Sequence, residues 1–233
     1  MGTVLCGFRH SAVAIALALA FSAAAPAQAS PGVTVFPGME IHQGATVCMV
    51  GFVEPRLRIA LSAGRCDDAP TVTDSHANVV GSVVLARRAS VSEPVAADSA
   101  SAVEYEVIAL APEVTTTQLL PGGRRLESIP GFTVQPALPV CHNTISAGQM
   151  CGRIGSVGND GFAITGMIAD PRDVGGPVYT LTDDNRAVIV GLLDGVRGTA
   201  LWAQSWQAVM RQLYIDAQSA GATQPPLGQP IGR

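Results

Sequence analysis

The sequence predicts an all-β fold that ends in a single helix. Short apolar runs rich in Val and Ile recur along its 233 residues, several of them alternating, with turn signals between them. Helical spacing is convincing only in Ser205 to Asp216, where Trp206, Val209, Met210 and Leu213 share one face. The chain holds 25 Gly and 16 Pro but only 14% charged residues, the reverse of a helical bundle or coiled coil. At 48% apolar it is too hydrophobic for disorder. Aromatics make up 5%, so the core must be aliphatic. A net charge of −4 gives no case for nucleic acid as a partner. The length accommodates one large β domain or two small ones.

The first 29 residues read as a secretory signal peptide. Arg9 is the formal charge of the opening stretch, Ser11 to Ala25 is apolar, and Ala27-Gln28-Ala29 fits small-x-small cleavage, so a mature start at Ser30 is expected. The apolar run of about 15 residues is short of the roughly 20 a membrane span needs. Nothing later in the chain is long and apolar enough to span a bilayer. The expected location is therefore extracellular or in the cell envelope.

Cys6 leaves with the signal, and the mature chain keeps Cys48, Cys66, Cys141 and Cys151. An even count in an exported protein reads as two disulfides, for which three connectivities exist. The sequential pairing closes one short loop in each half. There is no Cys-x-x-Cys, and Cys141-His142 is not a ligand spacing, so neither a metal nor a cofactor is expected.

The strands are expected at Thr46–Val53, Leu57–Ala63, Asn78–Ala86, Val103–Leu110, Phe132–Val140, Gly152–Val157, Phe162–Ile168, Pro177–Leu181, Ala187–Leu193 and Ala200–Gln204. Gly158-Asn159-Asp160-Gly161 is a hairpin turn, because Asn and Gly tolerate positive φ. Asp183-Asp184-Asn185 is another. Strands this short and this evenly spaced form barrels or a sandwich. A seam falls between Thr115 and Pro130, where Pro121-Gly122-Gly123 interrupts the pattern. The end, from Gln218 to Arg233, is rich in Gly, Pro and Gln and is expected as a frayed tail.

Four segments in order resemble the trypsin/chymotrypsin-like serine proteases. Asp173-Val174-Gly175-Gly176-Pro177 looks like the Gly-Asp-Ser-Gly-Gly-Pro segment around the nucleophile, and Ser62-Ala63-Gly64-Arg65-Cys66 resembles Thr-Ala-Gly-His-Cys. Glu104-Tyr105-Glu106-Val107-Ile108 is similar to the strand that carries the triad Asp. Cys141 to Ile154, with Gly148 between, is similar to the short-loop secreted bacterial branch, the streptogrisin and α-lytic type. The resemblance covers about residues 36–217. It implies two antiparallel six-stranded β-barrels, residues 30–118 and 119–217, with a cleft between them, a C-terminal helix and a flexible tail at 218–233. With it, the expected disulfides are Cys48–Cys66 and Cys141–Cys151.

The departures from the family pattern bear on function. A triad needs a hydroxyl nucleophile, an imidazole base and a carboxylate that orients the base. The positions that match them hold Val174, Arg65 and Glu104. A guanidinium stays protonated and cannot act as a base, and Val has no heteroatom to attack with. The oxyanion-hole positions are Arg172, where the family has Gly, and Val174. Losing the nucleophile or the base alone costs about 10⁶-fold in kcat. His42, His76 and His142 read as surface or hydrogen-bonded residues, and no Gly-x-Ser-x-Gly occurs.

The sequence therefore reads as a protease-fold protein without catalysis, a pseudoprotease retained as a binding or structural module. The alternative is a hydrolase of altered mechanism or with other catalytic residues. An unknown protein, peptide or cell-envelope ligand is expected in the old substrate cleft, whose walls are around Val190–Gly198 and Trp202. The chain is expected as a monomer. A structural ion pair is expected between Arg65 and Glu104, with Val174 packed against the Arg65 stem.

Overall fold

The structure is a computed structural model and describes residues 32–88, 103–182, 184 and 186–222. The expected signal peptide and its cleavage site lie outside these residues, as do two of the three residues of the expected 183–185 turn.

Among the described residues, sixteen strands and one α-helix follow in chain order. The first half carries β1 (Thr34–Val35), β2 (Glu40–Gln43), β3 (Thr46–Met49), β4 (Phe52–Glu54), β5 (Ile59–Ser62), β6 (Thr71–Thr73), β7 (Val79–Arg87), β8 (Tyr105–Leu110) and β9 (Thr115–Thr116). The second carries β10 (Leu126–Glu127), β11 (Pro139–Thr144), β12 (Gly148–Val157), β13 (Gly161–Thr165), β14 (Pro177–Leu181), β15 (Ala187–Arg197), β16 (Ala200–Ser205) and α1 (Trp206–Ala222).

The second sheet runs β10-β15-β14-β11-β12-β13-β16 and closes on itself through β15–β16, a six-stranded barrel with β10 attached in parallel. The first runs β3-β2-β6-β7-β8-β5-β4. Its two ends, β3 and β4, are one predicted strand divided at Val50 and Gly51. Counted as one bent strand, they make this a six-stranded half-barrel. β1 and β9 form a separate parallel pair.

Several boundaries move for physical reasons. The strand expected at Phe132–Val140 begins only at Pro139, because Pro136 lacks the N–H a ladder needs, while Pro139 is tolerated as the first residue of the strand. Its true body, Cys141–Thr144, is polar in sequence yet buried, and so did not read as a strand. β15 continues past Leu193 to Arg197. The helix runs past Asp216 to Ala222, through Ala217 and Ala220, which favour helix. Gln218 to Ala222, expected in the tail, are therefore helical, and the rest of the tail lies outside the described residues. No helix among the described residues is long and apolar enough to cross a membrane.

Three apolar clusters hold the fold. One fills the first barrel around Ile41, Val50, Val53, Val72 and Ile108. Another fills the second around Ile154, Phe162, Ile164, Val190 and Leu193. The third lies between the barrels and under the helix, with Phe52, Leu61, Tyr105, Ile189, Leu192 and Trp206. There the Phe52 and Trp206 rings sit 5.0 Å apart. Tyr105, at the start of β8, donates its hydroxyl to Asp216 of α1 at 2.6 Å, and Arg87 of β7 reaches the same carboxylate at 3.3 Å. The helix thereby fastens the second half to the first.

Candidate functional site

The site is built from two tight turns and the end of one strand. The first turn is the 3-10 segment Gly64–Cys66. Its Cys66 is bonded to Cys48, which fixes the turn against β3. Gly64 is needed because a Cβ there would run into the Arg87 carbonyl and lie 2.7 Å from the Tyr105 N. Arg65 projects from this turn with half its side chain exposed.

The second turn is the 3-10 segment Pro171–Asp173. Asp170 caps it, accepting the Arg172 N–H at 3.0 Å, while Asp173 accepts the Asp170 N–H at 2.7 Å. Asp173 is fully buried and also accepts the Ile145 N–H at 2.8 Å. Val174 follows, 7% exposed and packed into the cluster of the first barrel. Its carbonyl accepts the Met49 N–H at 2.8 Å. The next residue must be Gly: φ is +86° at Gly175, and a Cβ would collide with the Ser62 hydroxyl.

The third component is the end of β15. Asp194 is buried there, its side chain 1% exposed. Arg65 Nη1 donates to the Asp194 carbonyl at 2.9 Å, and Arg65 Nε lies 3.5 Å from Asp194 Oδ1. On the other side Arg197 Nη2 donates to Asp194 Oδ2 at 2.6 Å, while the Arg197 guanidinium stacks 5.0 Å over the Trp202 ring. One carboxylate thus receives two guanidinium groups. The pair expected between Arg65 and Glu104 is replaced: the carboxylate that Arg65 meets is that of Asp194. Glu104 instead places its backbone N–H on Gln204 Oε1 at 2.8 Å. Gly195, next to Asp194, has φ +107°, a conformation that favours glycine. A Cβ at Gly195 would stand 3.5 Å from Arg65 Nη1 and 3.6 Å from Val174 Cγ2.

Arg65 and Val174 therefore meet around one point, and both line a cavity of about 240 Å³ with Pro171, Gly195, Val196 and Leu201. Arg172 points its guanidinium back to Asp170, both oxygens of which are engaged at 3.0 Å. This holds the Asp170 carboxyl down at about 2, chiefly through the Arg172 side chain. Among the described residues, no histidine lines the cavity. His42 bonds Glu40 at 2.7 Å. His142 is buried, which pushes its pKa below the ordinary 6.5 and keeps it neutral. Cys141 and Cys151 form the second disulfide, across directly paired positions of β11 and β12.

Sequence reasoning missed Asp194. Its one signal was a charge directly after the apolar run Val188–Leu193, with Arg197 three residues on.

No protein-family model matches the chain. The uncharacterized protein Rv1815 of Mycobacterium tuberculosis H37Rv is 40% identical over 209 residues, 89% of this chain and 94% of that protein. The chain belongs to the Rv1815 family. The uncharacterized protein MT1863 of M. tuberculosis CDC 1551 matches over the same extent at 40%. Among solved structures, the chymotrypsin of Cellulomonas bogoriensis superposes with a TM-score of 0.55 at 17% identity, over 78% of this chain and 96% of that one. Thermobifida fusca protease A gives 0.55 at 18%, over 79% and 97%. The scabies mite inactivated protease paralogue S-I1 gives 0.50 at 10%, over 78% and 93%. The Rv1815-family chain thus has the chymotrypsin-like fold.

Proposed function

We propose that the chain is an extracellular protein of chymotrypsin-like fold that lacks peptidase activity and acts by binding in the cleft between its barrels. One observation carries this reading. Where a protease would hold nucleophile and base in contact, Val174 and Arg65 flank one point beside Gly195. Val offers no lone pair to a carbonyl carbon. Arg keeps its proton and is already committed to Asp194.

The oxyanion position supports the same reading. A protease aims two backbone N–H groups at the developing oxyanion. Here the Arg172 N–H is already donated to the Asp170 carboxylate. Losing one such donor costs about 10²–10³-fold in kcat, on top of about 10⁶-fold for the nucleophile or base. Fold alone does not confer function, and a protease paralogue described as inactivated exists on this fold in the scabies mite. Two disulfides support an oxidising compartment, and the leader-like first 29 residues support export.

The test uses the purified mature protein, a fluorophosphonate probe and chromogenic peptides. No covalent labelling and no turnover are expected. Labelling of any Ser or Thr would overturn the reading.

A further inference from the structure

The cavity beside Arg65 has unused donors and apolar walls. Of the five guanidinium N–H groups, one on Nη1 serves the Asp194 carbonyl and the one on Nε faces Asp194 Oδ1 at 3.5 Å. Among the described residues, the other three N–H groups of Arg65 make no hydrogen bond. Asp194 is shared by Arg65 and Arg197, and Asp170 is bound on both oxygens by Arg172. Arg65 lines the cavity.

The remaining wall is mostly apolar, with Val174, Pro171 and Leu201, and with Val196 at the rim 65% exposed; Asp170 also lines it, with both carboxylate oxygens held by Arg172. Next to the lining residue Ala169, Ile168 stands 74% exposed. At about 240 Å³ the space is below the ~300–1,000 Å³ of a drug-sized site, so the occupant is small. A guanidinium fork matches a carboxylate with two parallel hydrogen bonds.

We propose that this cavity binds an aliphatic carboxylate, its carboxylate on the free edge of Arg65 and its branched or linear chain against Val174 and Leu201. The assignment rests on the reading of the cleft as a binding site without catalysis. Such a group arrives either as a free short-chain acid or as the C-terminal residue of a peptide.

Isothermal titration of the mature protein tests this with 4-methylpentanoate, its neutral amide, and an acetylated tetrapeptide ending in Leu as free acid and as amide. At least one free acid should bind about tenfold or more tightly than its amide, the size of a charge-assisted hydrogen bond. Added salt should weaken the acid and leave the amide unchanged. A preference confined to 4-methylpentanoate identifies a free acid, and one confined to the peptide identifies a chain end. Arg65→Gln should remove the preference and Arg65→Lys should keep part of it. Val196→Asp, on an exposed rim residue that folding does not need, should weaken the acid severalfold at low salt.

Equal binding of acid and amide, or binding of neither, without fluorophosphonate labelling would overturn the carboxylate assignment alone. An undiminished preference in Arg65→Gln would overturn it as well. Labelling would overturn this assignment together with the reading on which it rests.

Discussion

Replacing Glu106 by Gln should stabilise the protein above neutral pH and do little below pH 4.5. Glu106 is fully buried on β8 beside Gln43 of β2, which is 1% exposed. Gln43 Nε2 donates to Glu106 Oε1 at 2.6 Å. Two atoms of the pair, Gln43 Oε1 and Glu106 Oε2, are buried without a partner among the described residues. A proton on Oε2 gives Gln43 Oε1 the donor it lacks. Burial pushes the carboxyl from its ordinary 4.5 up to about 7; Asp67 adds to the rise, while the Gln43 bond and Arg88 oppose it. Below pH 4.5 the native and unfolded chains both carry the proton and there is no penalty. Between 4.5 and about 7 the unfolded chain releases it first, and stability falls as pH rises. Above about 7 the loss levels off; at about 1.4 kcal/mol per pH unit it amounts to roughly 3 kcal/mol.

Gln at 106 cannot ionise, and its amide offers both the acceptor Gln43 Nε2 uses and the donor Gln43 Oε1 needs. Denaturant unfolding of both proteins at pH 4.5, 6 and 8 isolates the effect, because other titrations cancel in the difference. A gain of about 2–3 kcal/mol is expected at pH 8, a Tm rise on the order of 5–10 °C, shrinking toward zero at pH 4.5. A Glu106→Gln protein no more stable than the parent at pH 8, or a difference independent of pH, would refute this account of the barrel interior.

Val174→Ser alone should hydrolyse no chromogenic peptide, because Arg65 cannot take the hydroxyl proton. Arg65→His, Glu104→Asp and Val174→Ser together should give at most trace turnover while Asp170 holds the Arg172 N–H; adding Asp170→Ala should raise it by about 10²–10³-fold. Asp173→Ala removes the buried acceptor of two backbone N–H groups, Ile145 and Asp170, and should cost about 2–4 kcal/mol by chemical denaturation. Non-reducing peptide mapping should recover Cys48–Cys66 and Cys141–Cys151, and removing either bridge should cost about 2–4 kcal/mol; free thiols on the mature protein would contradict both pairings.

The strand-rich character and the C-terminal helix were legible because they depend on local pattern, whereas spacing left three cysteine connectivities open and the pairing came with the family resemblance. Val-rich apolar runs announce β7 and β15, and Gly158 to Gly161 announce the turn after β12. β2 and β6 were not legible, since Glu40–Gln43 and Thr71–Thr73 are short and mostly polar. At the site, Arg65 and Val174 were placed by the order of segments. The meeting of Arg65 with Asp194 was not foreseeable, because it depends on a strand from the other barrel 129 residues away. Glu104 illustrates the converse: a carboxylate in the expected segment does not become the partner when another lies closer in space.

The fastening of α1 to the first barrel has a consequence for the order of assembly. Synthesis delivers the first barrel long before Asp216, and N-terminal units begin to fold as they emerge. Until the last residues arrive, the Tyr105 hydroxyl and the Arg87 guanidinium have no Asp216 to meet. The half made first therefore reaches its final bonds only when the helix that carries Asp216 has docked. A break in the message that removes α1 would therefore leave its mark on the first half of the fold, at Tyr105 and Arg87, more than a hundred residues before the lesion.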